Sequence, residues 1–157
     1  MRIAAVEPFQ VGTGLYVLIR DENGTVGLGQ SACWAYSRAV LEVILTFRAY
    51  LIGKDPSRVE HHWQHLYRMG PFRGSVLGGA ISAIDIALWD LKGKNYQAPV
   101  WDLLGGKCRD KIRLHLLMAG GTPDEVATHA RQAASEGFTA IKFDPLPAGY
   151  QDLTTSA

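Results

Sequence analysis

The sequence predicts an α+β unit followed by the start of a parallel β/α array. Residues 3–29 alternate in hydrophobicity around an Asn23-Gly24 pair, which is typical of antiparallel strands joined by a hairpin. Residues 37–94 change to a helical spacing of apolar side chains. Residues 111–143 then follow the order strand, helix, strand, which implies two parallel strands joined by a right-handed crossover.

The first thirty residues are predicted to form a small antiparallel meander. Residues 3–11 alternate loosely, and residues 15–20 are apolar and partly β-branched. The Asn23-Gly24 pair tolerates positive φ, so we expect a short loop there that returns the chain into a third strand at residues 25–29.

Four helices are predicted after the meander. The first covers residues 37–51, and Gly53 is placed to be its C′ residue. The second has Asp55 as N-cap and Pro56 at N1, and it runs to about residue 69. The third and fourth are predicted at residues 75–94 and 100–104.

The last third of the chain predicts a β-α-β unit. The helix is expected to begin with a capping box, in which Thr122 is the N-cap, Pro123 is at N1 and Glu125 is at N3. It is expected to end at Gly137. The flanking strands are predicted at residues 111–118 and 138–143. This change of architecture predicts two domains, at residues 1–110 and 111–157.

Composition narrows the class of protein. The 157 residues have room for one domain, or one domain plus a fragment, and the net charge is +1 with no basic cluster of the kind that nucleic-acid binding needs. No apolar run reaches the roughly 18 residues of a membrane span, and the N-terminus lacks the layout of a signal peptide. Cys33 and Cys108 have no CxxC or paired spacing. We therefore expect a cytoplasmic protein with reduced thiols, although a disulfide stays open.

The third predicted helix carries a specific sequence pattern, AISAIDIALWDLKGKNYQAPVWDLLGG, from Ala80 to Gly106. It resembles the corresponding stretch of the mandelate racemase/muconate lactonizing enzyme branch of the enolase superfamily. The meander before it and GFTAIKFD after it also fit, so the resemblance covers essentially the whole chain. The matching positions are Ala80, Ser82, Ala83, Ile84, Asp85, Ala87, Leu88, Asp90, Gly93, Lys94, Pro99, Val100, Leu103, Leu104 and Gly105.

The resemblance implies a fold and a chemistry. The fold is an N-terminal capping domain followed by a TIM-type (β/α)7β barrel, of which this chain would hold strand one, helix one and strand two. The activity is abstraction of a proton α to a carboxylate, assisted by Mg²⁺ that acidic residues on the third, fourth and fifth barrel strands hold. Because those strands are absent from the 157 residues, we expect no metal ligand here and no activity from this chain alone.

Lys142 and Asp144 are the candidate catalytic residues. They lie two apart at the end of the second barrel strand, so their side chains are expected to share a face. Lys142 matches the first lysine of the family's Lys-x-Lys pattern, which implies contact with the substrate carboxylate or tuning of a neighbour. Asp144 replaces the second, proton-abstracting lysine. This favours an acid-sugar dehydratase over a mandelate-like racemase, while a plain ion pair of the two stays open.

Substrate contacts are expected from two loops of the cap, residues 11–15 and 31–36, since the resemblance assigns cap loops that role. Trp34 and Tyr36 either line the substrate or pack within the cap. Arg73 either binds a carboxylate or is a solvated loop arginine. The stretch Gly12-Thr13-Gly14 lacks a third glycine and a following helix, so it is not a dinucleotide-binding loop.

Two further groups of polar residues have competing interpretations. His61 and His65 share a helix face and resemble half of a zinc site, but without an evident third ligand a polar helix face is favoured. Asp85 and Asp90 lie five apart and therefore on different helix faces, which favours a cap or an ion-pair partner for each over an acid pair.

The function predicted from the sequence is therefore the N-terminal portion of a Mg²⁺-dependent acid-sugar dehydratase acting on a small sugar acid. A non-catalytic fragment that forms a homo-oligomer or needs a completing chain is the alternative from another class, because an open barrel leaves an unpaired strand edge. A racemase or cycloisomerase parent of the same superfamily also stays open. Neither nucleic acid nor membrane is an expected partner.

Overall fold

The fold is that of a computed structural model, in which residues 1–118 and 121–143 are described, except for the side chain of Trp34. The chain forms two compact units, Met1–Lys107 and a second that begins at Cys108. The first holds a three-stranded antiparallel sheet with helices, and the second holds a two-stranded parallel sheet with one helix. The predicted fold class is thereby confirmed, whereas the domain limits of 1–110 and 111–157 stay a prediction.

Ten helices and strands, together with a 3-10 turn at Trp34–Tyr36, make up the described part of the chain. None of these helices is both long and apolar enough to cross a membrane. In chain order they are β1 (Ile3–Val11), β2 (Gly14–Asp21), β3 (Val26–Ser31), α1 (Ser37–Leu51), α2 (Val59–Arg68), α3 (Ser75–Tyr96), α4 (Val100–Leu103), β4 (Leu116–Met118), α5 (Pro123–Ser135) and β5 (Ile141–Phe143).

The predicted hairpin between β2 and β3 is present. Gly24 takes a φ of +88° and its N–H donates to the Asp21 carbonyl at 3.0 Å. The buried Asp21 carboxylate holds the same loop, because its Oδ1 accepts from the N–H groups of Asn23 at 2.9 Å and Thr25 at 3.0 Å. Its Oδ2 accepts from Asn95 Nδ2 at 2.9 Å, which ties the hairpin to α3.

The helix predictions hold except at one end. The bounds of α1 are those predicted, with Gly53 at a φ of +78° beyond its end. The predicted start of α2 is wrong, because Arg58 and not Asp55 is its N-cap. The Asp55 carboxylate instead accepts from the N–H of Ser57 at 2.9 Å. A local turn of this kind competes with helix formation, so α2 begins at Val59.

The core of the first unit forms where α3 packs directly on the backbone of β3. A Cβ atom added to Gly29 would collide with the carbonyl oxygen of Ala83, and one added to Gly27 would collide with that of Ala87. Both alanines are fully buried. The small residues of the sequence pattern therefore permit an approach that larger side chains would prevent. The buried residues of α3 are Ala80, Ile81, Ala83, Ile84, Ala87, Leu88, Leu91 and Gly93.

Side chains of α3 also close the outer edge of β3. Asp90 Oδ2 accepts from the Leu28 N–H at 2.8 Å, and Lys94 Nζ donates to the Val26 carbonyl at 2.8 Å. Asp90 and Lys94 are themselves paired at 2.7 Å. The ion-pair interpretation of Asp90 is thus confirmed, and the pair satisfies backbone groups that would otherwise be left open at a sheet edge.

The opposite edge of the sheet, along β1, is closed differently. The Ile3 N–H donates to the Lys54 carbonyl at 2.8 Å, and the Gly53 N–H donates to the Ile3 carbonyl at 2.9 Å. Pro8, further along β1, has no N–H to offer. The segment after α1 therefore covers one end of this edge, and a proline interrupts the rest.

The second unit contains the predicted parallel β-α-β arrangement. β4 and β5 are paired in parallel, with Leu117 opposite Lys142. The capping box of α5 is present, since Thr122 Oγ1 accepts from the Glu125 N–H at 3.3 Å and the Glu125 carboxylate accepts from the Thr122 N–H at 3.0 Å. Both strands are shorter than predicted, because residues 111–115 and 138–140 form no ladder and only the last three residues of each strand pair.

The close approach of α3 to β3 predicts a large difference between two glycine substitutions. Gly29→Ala should lower the free energy of unfolding by about 3 kcal/mol or more, because its Cβ meets helix backbone that cannot move aside. Gly78 lies on α3, and a Cβ added to it would have nothing within 4 Å. Gly78→Ala should therefore raise the free energy of unfolding by about 0.5–1 kcal/mol. Urea unfolding of both variants tests this, and equal effects would contradict the packing described.

Candidate functional site

Two loops that the sequence assigns to substrate contact meet at one end of the first unit. Leu15, at the start of β2, pairs with Ser31, at the end of β3. Gln10 Nε2 donates to the Gly12 carbonyl at 3.0 Å and contacts Ser37 Oγ at 3.4 Å. The turn between β1 and β2 is therefore connected to the first residue of α1.

The segment 69–74 leads into α3 at the same end. A Cβ on Gly79 would lie 2.8 Å from Cys33 Cβ and 2.9 Å from Ser31 Oγ, so the beginning of α3 lies beside residues 31–33. Arg73 precedes this helix by two residues. The structure thus brings the segments of Trp34, Tyr36 and Arg73 to one end of the unit. Tyr36 is exposed, and contact of any of the three with substrate stays a prediction.

Lys142 lies on the face of the β4–β5 pair that is turned away from α5. Met118 is 7% exposed and Ala133 of α5 is 1% exposed, in agreement with α5 covering the Met118 side of the strand pair. Because strand side chains alternate, Leu117 and Lys142 point to the opposite face. Leu117 is 69% exposed, in agreement. Asp144, the other predicted catalytic residue, lies outside the described residues.

His62 is a buried polar residue that the sequence interpretation missed. It is 2% exposed, and its ring is hydrogen-bonded at both nitrogens, with Nε2 2.8 Å from the Asp55 carbonyl oxygen and Nδ1 3.0 Å from the Tyr50 hydroxyl. A carbonyl only accepts, so Nε2 carries the proton and Nδ1 accepts from Tyr50. The spacing of Val59, His62 and Leu66 along the buried face of α2 is the signal that identifies it.

The surroundings of His62 favour its neutral form. Burial lowers the pKa of the His62 imidazole below its ordinary value near 6.5, and its bond to the Asp55 carbonyl offsets this in part. The nearby charges of His61 and Arg58 lower the pKa further. Burial also raises the pKa of the Tyr50 hydroxyl, which keeps it available as a donor.

His61 and His65 lie on the exposed face of α2, with ring centroids 6.5 Å apart. The ring of His65 is stacked on Tyr50 at 3.8 Å, and Arg58 Nη2 approaches His61 Nδ1 at 3.4 Å. Across residues 1–118 and 121–143, no three His, Cys, Asp or Glu side chains come together as metal ligands. The described part of the chain therefore does not contain a ligand set that fits the Mg²⁺ implied by the family resemblance.

The two aspartates of α3 have separate surroundings. Asp90 contacts β3 and Lys94, as described above, whereas Asp85 is influenced by Glu60 of α2. Burial raises the pKa of the Asp85 carboxyl, and the negative charge of Glu60 raises it further. The two carboxyls therefore do not form an acid pair. This agrees with their spacing of five residues, which predicted that they lie on different helix faces.

Comparison with known proteins identifies the family. Residues 4–105 match the family described as "Mandelate racemase / muconate lactonizing enzyme, N-terminal domain". The chain belongs to the mandelate racemase/muconate lactonizing enzyme family. This range includes the meander except for Ile3, together with α1 to α4 and the α3–β3 packing, so the sequence pattern that begins at Ala80 marks the fold of the family's N-terminal domain.

Individual members of the superfamily are similar over most of the chain. The D-galactonate dehydratase of Verminephrobacter eiseniae is 38% identical over 131 residues, which is 83% of this chain and 34% of the relative. A solved enolase from Pantoea ananatis with bound D-gluconate and Mg is 38% identical, with a TM-score of 0.82 over 91% of this chain and 36% of its own. An enolase from Agrobacterium radiobacter with bound Na and L-malate is 29% identical, with a TM-score of 0.81 over 92% and 38%.

The chain therefore spans about a third of the length of these mandelate racemase/muconate lactonizing enzyme relatives. Its similarity to them extends beyond the N-terminal domain, because 91% of the chain superimposes on the Pantoea ananatis structure. The second unit is accordingly the start of the barrel, as the fold class predicted.

The lowered pKa of His62 predicts a stability that depends on pH. The unfolded chain binds this proton more tightly than the folded protein, so the free energy of unfolding should fall as the pH drops below about 6.5. One such group contributes at most about 1.4 kcal/mol per pH unit. His62→Gln should reduce the slope between pH 7 and pH 5 in urea unfolding, with His115→Gln, at an exposed histidine of the second unit, as the control for loss of a histidine. An unchanged slope in His62→Gln would exclude His62 as the source.

Proposed function

We propose that this chain is the N-terminal part of an acid-sugar dehydratase that removes the proton α to the substrate carboxylate with the help of Mg²⁺. The observation that carries the proposal is Lys142, which lies at the end of the second parallel strand on the face opposite α5. In a β/α barrel the helices cover the outside, so this face corresponds to the interior, and strand ends of this kind supply active sites.

The relatives support the choice of substrate class. One is a D-galactonate dehydratase and another was solved with D-gluconate and Mg, so both are associated with six-carbon sugar acids. The ammonium group of Lys142 is suited to bind a carboxylate or to tune a neighbouring acid or base by its charge. Trp34, Tyr36 and Arg73 are proposed as substrate contacts from the cap.

Proton abstraction next to a carboxylate places additional negative charge on the acid. When bound, Mg²⁺ neutralises this charge and stabilises the product of proton removal. Since the described residues do not fit the metal, the roles of this chain are substrate binding and the positioning of charge near the carboxylate. Asp144 in place of a second lysine favours a base from elsewhere in the enzyme, and it favours a dehydratase over a racemase or cycloisomerase.

A second candidate function is favoured by exposed apolar side chains of the second unit. Ile112, Leu114 and Leu117 are all strongly exposed. Such a surface favours association with further strands, in the same polypeptide or in another chain. A non-catalytic fragment that forms a homo-oligomer or takes a completing chain would use this face, and a stable monomer of the 157-residue chain in sedimentation analysis would count against it.

The dehydratase proposal predicts activity for the natural protein together with any sequence that follows Ala157 in its reading frame. Incubation with Mg²⁺ and a panel of sugar acids should release a 2-keto-3-deoxy acid, detectable by its reaction with semicarbazide. The pure 157-residue chain should show no turnover, because it provides no fitting metal site within its described residues. Turnover by that chain alone would contradict the second expectation, and racemisation without loss of water would contradict the first.

Lys142 should be required for that activity. Lys142→Met should lower kcat/KM by about 10- to 100-fold, which corresponds to loss of one hydrogen bond to a charged group. Lys142→Arg should retain part of the activity because it keeps the positive charge. Lys111→Met, at another exposed lysine of the second unit, is the matched control and should have little effect. Wild-type kinetics in Lys142→Met would refute the assignment.

A further inference from the structure

Arg73 is held by a stack of aromatic rings from α2. Trp63 and Tyr67 are stacked with ring centroids 4.9 Å apart and planes inclined by 13°. The guanidinium carbon of Arg73 lies 4.6 Å from the centroid of the Tyr67 ring. We call these three residues the Arg73 stack. Arg73 is exposed, and its guanidinium packs on the Tyr67 ring.

The base of the Arg73 stack is anchored in the core. Trp63 is packed against the hydrophobic core of the first unit. Tyr67 follows it by four residues on the same helix, so the two rings lie on one face of α2. Tyr67 is 38% exposed, which leaves it partly uncovered for the guanidinium. The core thus fixes Trp63, Trp63 supports Tyr67, and Tyr67 supports Arg73.

A second contact fixes the rotation of the guanidinium. Arg73 Nη1 donates to the Pro71 carbonyl at 3.1 Å, within the same loop. One contact is with the plane of the group and the other is with its edge, so together they restrict both its position and its orientation. Ordering a long side chain before the ligand arrives lowers the entropic cost of binding.

Most donors of Arg73 have no partner among the residues that the structure describes. A guanidinium has five N–H groups, and one nitrogen is used by Pro71. In the part of the chain that the structure describes, the ion pairs do not include Arg73. A planar fork of parallel N–H groups matches the two oxygens of a carboxylate.

We propose that Tyr67 is a positioning residue that holds Arg73 to bind a carboxylate group of the sugar acid. This inference rests on the proposed function and adds to it a residue outside the loops that the sequence assigned to substrate. Trp63 supports Tyr67 from the core. Arg73 lies on the segment that leads into α3, at the end of the unit where Leu15, Ser31 and the start of α1 also meet.

Steady-state kinetics of the full-length enzyme on the sugar acid that it dehydrates test this role. Tyr67→Leu should raise KM about 5- to 10-fold, because loss of the pre-ordered arginine weakens binding of the substrate carboxylate, and a fall in kcat beside it would report the charge that develops on that carboxylate. Tyr67→Phe keeps the ring and should restore KM to within about twofold of the wild type. Arg73→Lys should raise KM about 10-fold, since a lysine lacks the planar fork.

Arg68→Lys is the matched control, because Arg68 is an exposed arginine of the same helix outside the stack. It should leave KM unchanged. Urea unfolding of every variant separates a purely structural stack from the proposed one. If Tyr67→Leu lowers the free energy of unfolding but keeps the wild-type KM, the stack only supports the loop and the proposal is overturned.

Two failures remain distinguishable. If the wild-type enzyme turns over a sugar acid and Tyr67→Leu and Arg73→Lys both retain its KM, only the role of the Arg73 stack is refuted. If the wild-type enzyme neither turns over nor binds any sugar acid by calorimetry, the proposed function fails, and the carboxylate role of Arg73 fails with it.

Discussion

The contact between α3 and the backbone of β3 is the constraint on which the first unit depends. Gly27 and Gly29 present no side chain, so the helix rests on the strand itself. This proximity lets Asp90 and Lys94 reach the strand edge and lets Asn95 reach Asp21 in the hairpin. Any side chain between helix and strand would move these groups away from their partners. The glycines at positions 27 and 29 are therefore required both for the packing of α3 on β3 and for the hydrogen bonds between them.

The same contact determines where the candidate site forms. The helix runs along β3 so that its beginning lies beside Ser31, and the loop before it carries Arg73 to that end. Substrate contacts proposed on separate loops are consequently supported by one helix. In the second unit, the position of Lys142 follows from the alternation of strand side chains. Because α5 covers one face of the strand pair, every second side chain lies on the other face.

The fold was largely predictable from the sequence because local signals agreed with packing. Apolar spacing and Gly53 gave the bounds of α1, and Thr122 with Glu125 gave the start of α5. The start of α2 was not predictable in this way, because Asp55 is equally suited to cap a helix or a local turn. His62 was missed since a histidine does not count as apolar, and only its two hydrogen bonds show why burial is tolerated. For the candidate site, sequence could suggest Arg73 but not its stacking on Tyr67, which depends on the loop path.

The closure of both sheet edges has a consequence for how copies of this unit can associate. Asp90 and Lys94 are hydrogen-bonded to backbone groups of β3. On β1, the backbone of Gly53 and Lys54 is paired with Ile3, and Pro8 has no N–H group, so fewer backbone groups are free to pair with another strand. Association by strand addition requires a run of free N–H and C=O groups, and the meander does not provide one on the β3 side. On that side, contacts of the first unit with other chains are then expected from side chains, whose identity can differ between relatives, so that assembly can diverge while the sheet stays unchanged.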